Sequence, residues 1–254
     1  MYKFGLISAK SAADIQHNIE TIARYAQEAH ALGCTALCFP ECFLTGYSRE
    51  LASSQAISMD SDPCVQISEL AFQWNIDLLV GFMERDEDSL YINHSIFYSN
   101  GTVRSYRKTH LGNRESQVFE SGDSLRVYPL TCGIKIGFQL CVETHFPEIT
   151  QTLVLRGTSV IFAPHAVPSA AGNRKAIWNK YIPARSYDNC VYMACCNLWD
   201  EDRYGGGIFV TAPDGEVIVS SYKNEPELVT FEADSSLNWK KHFFPDKRRP
   251  ELYQ

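Results

Sequence analysis

The chain has 254 residues, 45% of them hydrophobic, and a formal net charge of -7. That is enough to bury the core of one large α/β domain, expected over residues 1–254, and no stretch approaches the roughly 20 uninterrupted apolar residues of a membrane span. The acidic balance argues against nucleic acid or an anionic membrane as partner, since both need a basic face and Lys247-Arg248-Arg249 is too short to supply one.

Cysteine usage sets the compartment. Nine cysteines are an odd number and include the adjacent Cys195-Cys196, which does not read as a disulfide framework. Cys34, Cys38, Cys132, Cys190, Cys195 and Cys196 read as small buried hydrophobes in a reducing environment. No paired Cys-x-x-Cys or His-x-x-x-His spacing points to zinc. Met1 to Ile7 run directly into a strand pattern and not into an export signal, so a soluble cytoplasmic protein is expected.

In chain order, Tyr2 to Ser8 read as a strand. Asp14 and Ser11 offer helix caps, and Ile15, Ile19, Ile22, Ala26 and Ala29 keep helical spacing up to Gly33. Cys34 to Phe39 follow as a second strand, ended by Pro40; this is a βαβ unit with its strands parallel. Glu41 stands in the loop after that strand, where open α/β sheets place their chemistry. Taken alone, it is a solvated charge.

Asp62-Pro63 starts a helix carrying Val65, Ile67, Leu70, Ala71 and Trp74, and Ile76 to Met83 is a buried strand. Tyr91 to Tyr98 and Thr102 to Tyr106 flank Asn100-Gly101, a strong hairpin signal, and the second arm runs into Lys108. Lysine past a strand end is ordinarily a surface charge.

The second half repeats this outline. A strand from Gly133 to Leu140 stops at Cys141, a helix runs from Pro147 to Arg156, and Thr158 to Ala163 is a strand. A helix from Asn173 to Asn189 leads into the strand Val191 to Asn197. A hairpin, Ile208 to Ala212 and Glu216 to Ser220, crosses Asp214-Gly215, and Leu228 to Ala233 is the last strand. About a dozen strands fit best as two mixed sheets packed face to face with helices on the outer faces. Residues 235–254 have no element pattern and form an apolar-ended tail, expected to pack on its own domain or at a subunit interface.

Cys141 is the residue around which these strand ends make chemical sense. A strand-to-helix turn exposes its sulfur and aims a helix N-terminus at it, which favours the thiolate. A thiol attacking an unactivated amide needs a base, a cation where the oxyanion develops and an acid for the leaving amine. Glu41 can serve as base and acid in turn, and Lys108 as the cation.

The contexts of these residues resemble the nitrilase superfamily of carbon-nitrogen hydrolases. Pro40-Glu-Cys-Phe-Leu-Thr-Gly-Tyr47 is similar to its glutamate motif, Tyr106-Arg-Lys-Thr-His-Leu111 to its lysine motif and Cys141-Val-Glu-Thr-His-Phe-Pro-Glu148 to its cysteine motif. Ala184 to Asn189, Cys196-Asn197 and Arg249 to Tyr253 continue the likeness, so that it covers essentially the whole chain. The resemblance implies an αββα four-layer sandwich and a Glu41-Lys108-Cys141 triad with no metal or organic cofactor. It further implies Val142 N–H as an oxyanion donor, Glu115 as a supporting glutamate and a homodimer or higher homo-oligomer. Glu143 departs from the family, which more usually has aspartate there; the longer side chain is expected still to accept backbone N–H bonds.

Amide hydrolysis to acid and ammonia is the expected reaction, with N-carbamoyl amine cleavage, nitrile hydrolysis and a non-catalytic binding role as alternatives. Tyr47, His145 and His165 are candidates to border the pocket, with Asn173, Arg174, Trp178 and Tyr204 near it. A papain-like pairing of Cys141 with His110, His145 or His165 has no matching context around it.

Overall fold

The computed structural model describes residues 1–234 and 244–252; of the tail expected over 235–254, residues 235–243 and 253–254 lie outside the described residues. Alternation of apolar residues sets the strands, and helical spacing between them sets the covering layers. In chain order the first half is β1 (Tyr2–Ser8), α1 (Ile15–Ala31), β2 (Ala36–Cys38), α2 (Ala52–Gln55), α3 (Asp62–Gln73), β3 (Asp77–Asp86), β4 (Ser89–Phe97) and β5 (Val103–Arg107). The second is β6 (Tyr128–Pro129), β7 (Lys135–Phe138), α4 (Pro147–Leu155), β8 (Val160–His165), α5 (Arg174–Asn189), β9 (Tyr192–Asn197), β10 (Ile208–Thr211), β11 (Val217–Ser221) and β12 (Glu227–Ala233).

These strands form two six-stranded sheets, ordered β12-β1-β2-β3-β4-β5 and β11-β10-β9-β8-β7-β6. Each has a parallel centre, β1-β2-β3 or β7-β8-β9, with antiparallel flanks. Period two then sorts the side chains. Phe4, Leu6, Phe138, Phe162, Ala194 and Val210 meet between the sheets. Leu37, Leu78 and Val80 face α1 and α3, while Ile161, Met193 and Phe209 face α4 and α5. The result is the expected αββα sandwich.

Several elements differ from the sequence pattern. β3 and β4 form a hairpin from Leu78↔Phe97 to Asp86↔Ser89, closed at Glu87 with φ 53. Its Glu87-Asp88 turn lacks the glycine that marked the next hairpin, where Gly101 has φ +84. The last strand, β12, returns to the first sheet and pairs antiparallel with β1, a contact no local pattern announces. In the described part of the tail, Phe244 packs on Tyr187 of α5 at 5.5 Å and Arg248 Nη2 donates to Asn189 Oδ1 at 3.0 Å.

Candidate active site

Glu41, Lys108 and Cys141 follow β2, β5 and β7, and the two facing sheets bring these strand ends together. The Glu41 loop runs beside β3: Phe39 N donates to Leu79 O and Leu44 N to Gly81 O, both at 2.9 Å. Gly81 is required for that approach, since a Cβ there would meet Cys42 N and His94 Nδ1, each at 2.7 Å. The residue after Glu41, Cys42, has φ 54, a left-handed conformation that L side chains rarely take.

Lys108 is fixed by what precedes and follows it. Arg107 makes a two-pronged contact with Glu84, Nε to Oε2 at 2.8 Å and Nη2 to Oε1 at 2.6 Å, which leaves the next side chain pointing inward. Lys108 N donates to Ile92 O and its own carbonyl accepts from Gly122 N, both at 2.8 Å. Gly122 needs no side chain there, because an added Cβ would run into the Arg107 carbonyl.

The Lys108 ammonium is fully buried and donates to Glu41 Oε1 at 2.8 Å and to Glu115 Oε1 at 2.9 Å. Glu115 also accepts from Tyr47 OH at 2.8 Å and from Gly112 N at 2.7 Å. Tyr47, expected at the pocket border, therefore spends its hydroxyl positioning Glu115.

The cysteine turn is built around Glu143. Its Oε2 accepts from Leu140 N at 2.7 Å, while Oε1 accepts from Tyr106 OH, Thr109 N and Thr109 Oγ1, each at 2.7 Å. One carboxylate thus ties the cysteine turn to the lysine turn, and the longer side chain does reach, as expected. Gln139 braces the same turn, donating to Glu143 O at 3.0 Å and accepting from Thr150 Oγ1 at 2.9 Å. Neither Gln139 nor Tyr106 carried a signal of this role in the sequence.

Cys141 itself has φ 49 and opens a 3-10 turn, Cys141–His145; α4 begins only at Pro147. Val142 N–H lies in the first turn, where helices leave N–H groups without an intrahelical acceptor. Cys141 and Val142 are half-buried as residues, whereas Glu41 and Lys108 are buried.

Electrostatics correct one expectation. Burial, and then the Glu41 charge, push the Cys141 thiol up to about 12; Lys108 and a backbone hydrogen bond from Ala166 oppose this without prevailing. The thiolate is therefore not the resting form. Burial also raises Glu41 to about 7, although Lys108 pulls it down. Glu115 is desolvated too, but Lys108 and the Gly112 N–H outweigh burial and hold it below the ordinary carboxylate range. Burial disfavours the Lys108 ammonium, yet Glu41 and the other anions around it raise it well above the ordinary lysine value. The cluster thus pairs a permanent cation with a carboxyl that exchanges its proton near neutrality, beside a protonated thiol.

Residues 4–238 match the carbon-nitrogen hydrolase family. The chain belongs to that family. Within the nitrilase superfamily, it is 31% identical to the deaminated glutathione amidase of Rattus norvegicus, over 96% of this chain and 81% of that protein. It is 28% identical to a nitrilase of Pyrococcus abyssi, over 93% and 92%. The NitN amidase from Neterenkonia sp. AN1 superposes with a TM-score of 0.87 at 23% identity, covering 100% of this chain and 98% of that one.

In this carbon-nitrogen hydrolase the histidines stand apart from the cluster's proton chemistry. His165 is buried with Nδ1 on Ala163 O at 2.7 Å and Nε2 accepting from Trp178 Nε1 at 3.3 Å. Burial lowers it to about 3, and both ring nitrogens are engaged within the protein. His145 is exposed and stacks on Tyr181 with ring centroids 4.6 Å apart; burial, followed by Arg174 and Arg185, lowers its basicity. Among the described residues no group of three or more His, Cys, Asp or Glu side chains is arranged to hold a metal ion, and no helix is long and apolar enough to cross a membrane.

Proposed function

We propose that this carbon-nitrogen hydrolase converts a small carboxylic amide to its acid and ammonia through a thioester on Cys141. The observation that carries the reading is the Lys108 ammonium held between Glu41 and Glu115 at 2.8 and 2.9 Å beside a cysteine on a strained turn. Because the thiol rests protonated, Glu41 takes its proton as the S–C bond forms. Lys108 and Val142 N–H stabilise the oxyanion, and the proton on Glu41 passes to the departing ammonia as the C–N bond breaks. Water then attacks the thioester carbon as Glu41 accepts its proton, and the C–S bond breaks as Glu41 returns that proton to the sulfur, which releases the acid and restores both the thiol and the carboxylate.

The sign of the pH dependence follows from Glu41. Its carboxylate is the active form, so kcat/KM should rise through a midpoint near 7 and fall about tenfold per pH unit well below it. A pH-rate profile of ammonia release checks this. A midpoint in the ordinary carboxylate range would mean that the surroundings do not raise Glu41, and a profile with no acidic limb would remove Glu41 from the base role.

N-carbamoyl amines are the second reading, since their cleavage makes the same demands on base, cation and thiol. A panel of small aliphatic amides, ω-amides of dicarboxylates, N-carbamoyl amines and nitriles, scored by ammonia release, separates these reactions. Silence across the panel would refute the hydrolase chemistry assigned to the site.

A further inference from the structure

The loop between β9 and β10 is fastened to both sheets at the end where Glu41 and Cys141 stand. On the side of the second sheet, Leu198 N donates at 3.2 Å to the carbonyl of His165, which ends β8. On the side of the first, Trp199 N donates to Ala9 O at 3.1 Å and Gly207 N to Ser8 Oγ at 3.2 Å. Ser8 ends β1, whose parallel neighbour β2 leads into Glu41, just as β7, the parallel neighbour of β8, leads into Cys141. Gly206 permits the close approach, since a Cβ there would meet Ser8 Oγ at 2.8 Å. The loop therefore crosses from one sheet to the other, one strand away from each of these two residues.

Tyr204 is buried within this loop, 7% exposed. Its backbone closes on Asp200, with Tyr204 N donating to Asp200 Oδ1 at 2.9 Å and Tyr204 O accepting from Asp200 N at 3.0 Å. Ser169 N holds the preceding carbonyl, that of Arg203, at 2.8 Å. The ring belongs to the buried cluster that contains Phe43 and Leu44 of the Glu41 loop and Ala166 beyond β8, with Tyr47 packed against it. The Arg203 guanidinium lies over the ring, 5.0 Å from its centroid. Main chain and ring are thus both held in place.

The hydroxyl is not. Tyr204 OH is buried without a hydrogen-bond partner among the described residues. Buried hydroxyls are rarely left so, because each forfeits its hydration. The triad does not engage it: Glu41 and Glu115 accept from Lys108, and Tyr47 supplies the further donor to Glu115. Burial raises Tyr204 to about 12, so the hydroxyl keeps its proton and can donate as well as accept. Of the charges that act on it, Arg203 is opposed by Asp200 and Glu41, which suits a neutral oxygen better than a carboxylate. A neutral oxygen of the substrate would satisfy the orphaned group.

We propose that the Tyr204 hydroxyl determines specificity by hydrogen-bonding a hydroxyl carried on the acyl chain, so that hydroxylated aliphatic amides are preferred to their plain alkyl isosteres. The inference rests on the amide-hydrolase reading above and adds to it the substrate class.

The test pairs each hydroxy amide with an alkyl amide of the same shape: lactamide with isobutyramide, β-hydroxybutyramide with isovaleramide, and γ-hydroxybutyramide with pentanamide. The best hydroxy amide is expected to exceed its isostere roughly ten- to a hundredfold in wild-type kcat/KM. Tyr204→Phe, which keeps the ring and its packing, should lower kcat/KM at least about tenfold more on that hydroxy amide than on its isostere. A preference absent from every wild-type pair, or one that survives unchanged in Tyr204→Phe, overturns the contact; the second result would mean a hydroxyl that binds water only. If no amide turns over, the amide reading fails, and calorimetry with the same pairs decides the contact by itself. A hydroxy amide that binds the wild type at least about tenfold more tightly than its isostere, with the difference lost in Tyr204→Phe, upholds it. Equal or absent binding overturns it.

Discussion

Cys141→Ala is expected to reduce ammonia release to the buffer background on every substrate that the wild type accepts. Glu41 and Glu115 are held on the Lys108 ammonium and do not take over the covalent step. The variant is also a fair control for folding. Cys141 already carries a Cβ at φ 49, so alanine adds no new backbone strain. Removing the sulfur from so desolvated a position takes away a group that the surroundings do not keep ionised. Retained turnover in a folded Cys141→Ala protein would mean that another nucleophile, or water directly, performs the reaction.

Lys108→Ala is expected to lower kcat by roughly two to three orders of magnitude, the usual effect of losing an oxyanion donor worth ~2.7 to 4 kcal/mol. The variant should show a second change that a mere loss of packing would not. Lys108 is the strongest influence holding Glu41 down, so without it the Glu41 carboxyl should move above its value of about 7. The pH-rate midpoint should shift upward with it. Breaking a buried ion cluster on one side also costs about 3 to 5 kcal/mol of stability, which thermal unfolding would record separately. A change confined to KM would make Lys108 a ground-state binder.

The fold was legible because each strand carries its period and its punctuation. Val160 and Phe162 face one layer while Ile161 and Ala163 face the other, and Pro40 and Gly33 mark real ends. Placement of Glu41, Lys108 and Cys141 at strand ends was legible for the same reason. Two sheets packed face to face were expected as well; the strand order within them was not, because a pairing such as β12 with β1 is a contact across the length of the chain.

Local chemistry was legible only where it depended on residue type. Glu143 was recognisable as an anchor, yet its bonds to Tyr106 and Thr109 join motifs that are distant in sequence. The acidity of Cys141 was misjudged because spacing shows a neighbouring lysine but not the depth of burial, and burial is the larger influence here. His165 was a candidate to border the pocket; its nitrogens are engaged by Ala163 and Trp178, and neither contact has a sequence signature.

The central claim is that the acyl group passes through the Cys141 sulfur. Acid-quenched turnover of a reactive small amide, followed by peptide mass spectrometry, tests it most directly. The account predicts one acyl adduct, on the peptide carrying Cys141, labile to hydroxylamine and absent from Cys141→Ala. An adduct on another residue, or undiminished ammonia release from Cys141→Ala with no adduct at all, would contradict it.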